Sequence, residues 1–256
     1  MALITNIRIV LVEPAGALNV GSIARVMKNM GFHHLVVVNP RCDLGSVDAR
    51  QMAVHAGDVL SSAKQVATLA QALQGCQRII ATLGRDRAFP MPLESPRAAL
   101  PWLLLGSGQS ALVFGREDRG LTNDELKYAQ RLVQIPTDPA YPSLNLAQSV
   151  AICCYELAIH HRALAHEAQN LSSTSHGELW NRQDPLPPLE SLERFYQDLQ
   201  TLLLEIGYLH PHTTTSRMEK FRWLLTRSSP SEQELAMLRG IIRQMRWALR
   251  QQSHSP

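Results

Sequence analysis

Ala111-Leu112-Val113-Phe114-Gly115-Arg116-Glu117-Asp118-Arg119-Gly120-Leu121-Thr122-Asn123-Asp124-Glu125-Leu126 runs without a break from an apolar segment, through a glycine-bounded charged turn, into a helix start. The apolar residues are consecutive rather than alternating, the pattern of a strand buried on both faces. Gly115 has no Cβ and lets a ligand approach the backbone at the strand's end, where Arg116 and Glu117 follow as a charged pair. Thr122 and Glu125 stand at capping-box spacing, which predicts a helix from that point. A salt-bridged turn and a ligand-binding loop both fit this stretch taken alone.

Working outward, Ile7–Val12, Leu35–Val38, Arg78–Ala81 and Leu132–Ile135 are further short β-rich runs separated by helical stretches. Such alternation predicts an α/β domain with a mainly parallel sheet. The runs end in Asn39-Pro40, Gly84, Gly115 and Pro136, and in open α/β sheets ligands bind just outside the carboxyl ends of the strands. Two more segments at those ends are rich in Gly, Asn, Arg and Pro. In Asn19-Val20-Gly21-Ser22-Ile23-Ala24-Arg25, Gly21 and Ser22 suit a tight turn into a helix whose first N–H groups can hold an anion, with Arg25 projecting from that turn. An ordinary turn with a solvent-facing arginine fits equally. The segment lacks GxGxxG, so a dinucleotide site is not supported. In Ile135-Pro136-Thr137-Asp138-Pro139-Ala140-Tyr141-Pro142-Ser143-Leu144-Asn145-Leu146, three prolines stiffen an extended loop before an apolar helix that Ser143 is placed to cap. Capping by Ser143 leaves Asn145 unexplained.

From about His160 to Pro188 the periodicity fades into a linker composition, which divides the chain into residues 1–160, a linker over 161–188 and a small helical unit over 189–256. Within that unit Leu192, Phe195, Leu199, Leu202, Leu203 and Ile206 recur at helical spacing up to Gly207, and Ser231 with Glu234 opens a second long helix. On the latter, Arg239, Arg243, Arg246 and Arg250 form one stripe and Leu235, Leu238, Ile242, Met245 and Leu249 another, about a quarter-turn apart. From Arg217 onward eight basic residues face three acidic ones, a local +5 within a chain of net charge +3. A solvated face and a polyanion-docking face both account for the stripe.

The composition of the 256 residues, 45% hydrophobic and 18% charged, fits a globular chain and excludes a disordered or coiled-coil one. No apolar run reaches the roughly 20 residues needed to cross a bilayer, and the first residues do not read as a signal peptide, so no membrane role and a cytoplasmic location are expected. Cys42, Cys76, Cys153 and Cys154 lack ligand spacing, as do the ten histidines, so no metal site is expected and the thiols read as reduced and mostly buried. A hydrolase built on Ser143 lacks the GxSxG elbow.

The strings NVGSIAR, ALVFGREDRGLTNDEL and IPTDPAYPSLNLAQSVAICCYEL, in this order and separation, resemble the three motifs of the SpoU/TrmH family of SPOUT RNA 2'-O-methyltransferases. The LNLA form of the third motif, the linker and the helical tail are most similar to the bacterial branch that methylates the ribose of nucleotide 32 in the tRNA anticodon loop. Members of that branch often carry Thr-Ser-His where this chain has Pro14-Ala15-Gly16-Ala17-Leu18, and Thr-Ser-Ala-Arg where it has Thr82-Leu83-Gly84-Arg85. The resemblance implies a C-terminal trefoil knot in the catalytic domain, S-adenosylmethionine bound in the knot, and a homodimer whose subunits complete each other's sites. It implies a donor site at Thr82, Leu83, Gly84, Gly115, Ile135, Pro142, Ser143 and Leu144, and a catalytic set of Arg25, Asn19, Ser143 and Asn145. Arg85, Arg87 and Arg116, with Arg239, Arg243, Arg246 and Arg250, are candidates for tRNA contact. The same chemistry on ribosomal RNA, a non-catalytic RNA-binding module and, least, a small-molecule methyltransferase are the competing readings.

Overall fold

Ile7–Val12 (β1) is almost wholly buried, with Ile7, Ile9, Val10 and Leu11 fully so, as expected for a strand with neighbours on both sides and helices on both faces. The computed structural model describes residues 4–84, 91–170 and 185–252. Around β1 lie His34–Val38 (β2), Lys64–Val66 (β3), Cys76–Leu83 (β4), Leu93–Glu94 (β5), Gln109–Phe114 (β6) and Arg131–Gln134 (β7). They form one sheet in the order β3-β2-β1-β6-β4-β7-β5, and every pairing is parallel. The expected parallel α/β sheet is what the chain builds. β3 and β5 are too short and too polar to stand out in the sequence.

The helices that position the candidate loops are Ala17–Met30 (α1), Val47–Ala53 (α2), Gly57–Ser61 (α3), Leu69–Ala72 (α4), Pro96–Ala99 (α5), Asn123–Leu126 (α6) and Leu146–Asn170 (α7). The capping box expected at Thr122 and Glu125 is present at the start of α6. α1 begins earlier than the residues suggested: Gly16 is its N-cap, so Gly21 and Ser22 lie inside the helix instead of at its entry turn. Gly21 is small for a packing reason, since a Cβ there would stand 2.2 Å from the carbonyl oxygen of Ala49 and 2.9 Å from the Cβ of Met52 on α2. Along its other side α1 packs against α7. α7 continues as helix to Asn170, ten residues past the point where the apolar periodicity fades. One helical face supplies the core with Val150, Cys153, Cys154 and Leu157. Burial pushes the Cys153 thiol up to about 12 and Cys154 well above the ordinary thiol value, so both are inert packing groups.

The chain divides into two compact units, Met1–Asn181 and Arg182–Pro256. Among its described residues the second holds three helices: Leu189–Glu205 (α8), Thr214–Ser228 (α9) and Glu232–Gln252 (α10). The two helices read from sequence are α8 and α10. α9 escaped notice because its inward residues, Met218, Phe221 and Leu225, are diluted by polar ones. Phe195, Tyr196, Leu202, Leu209, Met218, Leu235 and Ile242 make this unit's own core. Arg222 closes it from above, bonded to Glu193 at 2.5 and 2.7 Å and lying 4.2 Å over the Tyr196 ring. The Ser231–Glu234 capping box opens α10 as expected. Met245, read as part of the apolar stripe, is instead exposed, because α8 and α9 cover only the arc from Leu238 to Leu235.

The α1–α2 contact gives a direct test of the packing. Gly21→Ala is expected to destabilise the protein by roughly 1–3 kcal/mol, the range for overpacking a tight contact, read as a lowered urea midpoint at unchanged slope.

Candidate active site

The carboxyl ends of β6 and β4, with the loop following β7, surround a cleft at the position where open α/β sheets bind ligands. Its walls come from Thr82-Leu83-Gly84, from the stretch Phe114 to Leu121, and from Ser143, Leu144, Leu146 and Ser149. Of the donor-site candidates, Thr82, Leu83, Gly84, Gly115, Ser143 and Leu144 therefore meet around one space. Ile135 packs against the main core instead, and Pro142 is exposed, its carbonyl accepting from the Thr137 hydroxyl at 3.1 Å. Both shape the loop rather than the wall.

Glu117 ties the loops together. Its carboxylate accepts from the backbone N–H of Ala15 at 3.0 Å, that of Gly16 at 3.1 Å and the Asn19 amide at 3.0 Å. The anion expected at the start of α1 is thus supplied by the protein itself, where the helix dipole favours it. Burial opposes ionisation of Glu117, yet the bonds from Ala15, Asn19 and Gly16 outweigh it and hold the carboxyl below its usual range. Asn19 in turn accepts from the Asn145 amide at 3.0 Å. Asn145 Oδ1 also takes the N–H groups of Ala147 and Gln148, while Gln148 accepts from the Asn145 N–H. Asn145, not Ser143, therefore caps α7, and the Asn-x-x-Gln spacing was the readable sign of it. Ser143 is left exposed on the cleft wall.

Gly115, on the cleft wall, has a second reason for being glycine beside the one expected. A Cβ there would lie 2.3 Å from the Gly120 carbonyl carbon and 2.4 Å from the Leu121 nitrogen, so the chain's own returning turn makes the close approach. That turn is pinned by Glu13, which sits at the end of β1 with φ +48° and accepts from Asn39, Arg41 and Arg119 at 3.0, 3.3 and 3.3 Å. Arg116 pairs with Asp118 at 2.8 Å and approaches Glu13 at 3.6 Å. The role expected of Arg116 toward RNA competes with these partners. Burial works against the Glu13 charge, but Asn39, Arg119 and Arg41 hold its carboxyl low.

Arg25 is not brought to the cleft of its own chain. It is exposed on α1, six residues beyond Asn19, and makes no hydrogen bond or ion pair among the described residues. The arginines of α10 belong to the second unit, and Arg85 and Arg87 lie outside the described residues. Leu121, Leu146 and Ser149 were missed as wall residues, although each lies within a quoted motif. No group of three His, Cys, Asp or Glu side chains among the described residues is arranged to hold a metal ion, and no helix among them is long and apolar enough to cross a membrane.

Glu117→Gln keeps the shape and removes the charge that three N–H donors face, with an expected cost of about 1.5–3 kcal/mol at pH 7. Because the folded-state value is depressed, the wild-type advantage is complete above the usual carboxylate value of ~4 and is lost as pH falls through the lower folded value. Urea unfolding of both proteins from pH 7 to pH 3 should show two stabilities that converge in acid.

Residues 6–155 match the SpoU rRNA Methylase family, and residues 190–254 match the tRNA methyltransferase TrmJ C-terminal domain. The tRNA (cytidine/uridine-2'-O-)-methyltransferase TrmJ of Pectobacterium atrosepticum is 42% identical over 248 residues, covering 94% of this chain and 96% of that one. The protein of the same name from Klebsiella pneumoniae is 41% identical over 245 residues, with the same coverage. Among solved structures, TrmJ from Z. mobilis ZM4 superposes with a TM-score of 0.78 at 29% identity, covering 93% of this chain and 98% of that one. The parallel sheet, the cleft at its carboxyl ends and these matches agree: the chain belongs to the SpoU methylase family, with a TrmJ-type C-terminal domain.

Proposed function

We propose that the protein methylates the 2'-hydroxyl of a ribose in tRNA, using S-adenosylmethionine, at cytidine or uridine 32 of the anticodon loop. The observation that carries this reading is the Asn145–Asn19–Glu117 relay, which locks three distant segments around one cleft in a chain of this family. The cleft fits the donor: Leu83, Phe114, Leu121 and Leu144 offer apolar walls, and a Cβ at Gly84 would meet nothing within 4 Å, so the loop opens onto space. Thr82, Leu83, Gly84, Gly115, Ser143 and Leu144 would hold it, with Ile135 and Pro142 shaping the threaded loop of the family's trefoil knot. Bound there, S-adenosylmethionine supplies a methyl group already activated on a sulfonium, chemistry that asks for alignment and proton removal rather than a Lewis acid.

Those two tasks fall to the chain's own residues. Asn19 and Asn145 fix the loops, and the exposed Ser143 orients the ribose. A guanidinium is a planar fork of donors and accepts nothing, so Arg25 acts as a clamp on the neighbouring phosphate and stabilises the developing 2'-oxyanion, the proton passing to phosphate or water. Arg25 meets a cleft only in a homodimer. Support for that assembly comes from α7, where Ile152, Tyr155 and Ile159 stay exposed at helical spacing, and from Leu18, exposed on the same side of α1 as Arg25. Arg239, Arg243 and Arg250 supply phosphate contacts from the second unit, Arg246 being paired with Glu205, and a cytoplasmic location follows from the substrate.

Incubation with unmodified tRNA and S-adenosylmethionine, followed by mass-spectrometric mapping of methylated ribose, tests reaction and position together. Label on ribosomal RNA alone would overturn the substrate, and absence of donor binding in calorimetry would leave only an RNA-binding module. Arg25→Ala and Arg25→Lys are both expected to lose two or more orders of magnitude in methylation rate with donor affinity little changed, because lysine lacks the planar fork. Mixing Arg25→Ala subunits with subunits blocked at the donor cleft by Gly84→Trp should restore activity that neither variant has alone.

A further inference from the structure

Trp247 is 55% exposed on α10 and takes no part in the core of its unit. A tryptophan left in water usually has a partner to meet, since its indole is among the largest apolar surfaces a side chain offers. It lines a groove with Arg239, Arg243, Arg246, Arg250 and, from α8, Asp198. Ala236, Gly240, Arg243 and Trp247 follow one another at spacings of four, three and four, so they share a face of the helix. Ala236 and Gly240 are small, and a Cβ at Gly240 would meet nothing within 4 Å. Helical side chains lean over the turn before their own Cα, so the indole borders a recess whose floor is these two residues.

The charges around this recess are unevenly committed. Arg246 is held by Glu205 at 3.0 and 3.3 Å. Arg239, Arg243 and Arg250 make no ion pair among the described residues, and no ring or guanidinium among them stacks on Trp247. Three uncommitted guanidiniums and a bare indole face, in one groove containing a single uncommitted carboxylate, complement a polyanion that also carries flat aromatic groups. In a duplex the base faces are hidden in the stack, whereas an unpaired nucleotide presents one.

We propose that Trp247 is a stacking platform for an unpaired nucleobase of the RNA, with Arg239, Arg243 and Arg250 holding the adjacent phosphates. The assignment rests on the reading of the protein as an RNA methyltransferase and adds a contact that reads single-strandedness rather than charge.

The full-length protein, Trp247→Ala, Trp247→Phe and Arg243→Gln are titrated with an unmodified tRNA transcript and with a fully paired RNA duplex, over a series of salt concentrations. Trp247→Ala should weaken tRNA binding roughly tenfold, as expected for one lost base–aromatic stack, without changing the slope of log affinity against log salt. Trp247→Phe should keep most of the affinity, and duplex binding should be the same in all three Trp247 forms. Arg243→Gln should lower the salt slope by about one unit. Wild-type tRNA affinity in Trp247→Ala, or an equal loss on duplex and tRNA, overturns the proposal. So does unchanged RNA affinity combined with lost self-association, which would give the face to a second copy of the chain. Methyl transfer by the wild-type protein is measured in parallel: its absence would sink the enzymatic reading, while the tRNA-to-duplex comparison would still judge Trp247.

Discussion

The carboxylate of Glu117 is the point on which the site depends. It stands one turn outside β6, yet its three donors all belong to the entry of α1, about a hundred residues earlier in the chain. A charged acceptor shared by two backbone N–H groups and an amide is stronger than any neutral loop contact, and it coincides with the positive end of a helix. With Asn19 fixed in this way, its carbonyl oxygen is aimed at Asn145, and the start of α7 is fixed as well. Three side chains, Glu117, Asn19 and Asn145, thus tie three segments together beside the cleft.

Glu13 does for the other side of the turn what Glu117 does for the first. It accepts the left-handed backbone at the end of β1 and gathers Asn39, Arg41 and Arg119. Backbone in that region is costly for a residue with a Cβ and persists where surrounding bonds over-determine it. Arg119 passes the constraint on to Glu125, whose carboxylate also caps α6. The cleft wall from Gly115 to Leu121 is therefore held from both ends, consistent with a site that works by alignment. Arg25 stands apart from this network, exposed and unattached among the described residues.

The sheet was legible in the residues because buried parallel strands are written as consecutive apolar runs, and the five longest runs were such segments. Capping boxes at Thr122 and Ser231 were legible for a similar reason: their bonds span three residues and leave a local pattern. Where the local reading failed, a distant residue had decided the matter. Gly21 looked like a turn glycine and is a packing glycine, because Ala49 lies against it. Gly115 looked like a glycine kept small for a ligand alone, and it also makes room for Gly120 and Leu121. Ser143 looked like a cap and Asn145 does the capping, although Asn-x-x-Gln was there to read.

By itself, then, the sequence determined the parallel α/β class, the candidate loops at the strand ends and the arginine stripe of the last helix, since each is encoded in periodicity, composition or motif spacing. Only the tertiary structure decided that Glu117 occupies the anion position at α1, that Asn19 and Asn145 bond each other, and that Trp247 stands bare among the arginines. The physical reason is one of range. Helix and strand patterns express contacts a few residues apart, while the hydrogen bonds that build the cleft join residues 98 to 126 positions apart, and nothing in either local segment records its partner.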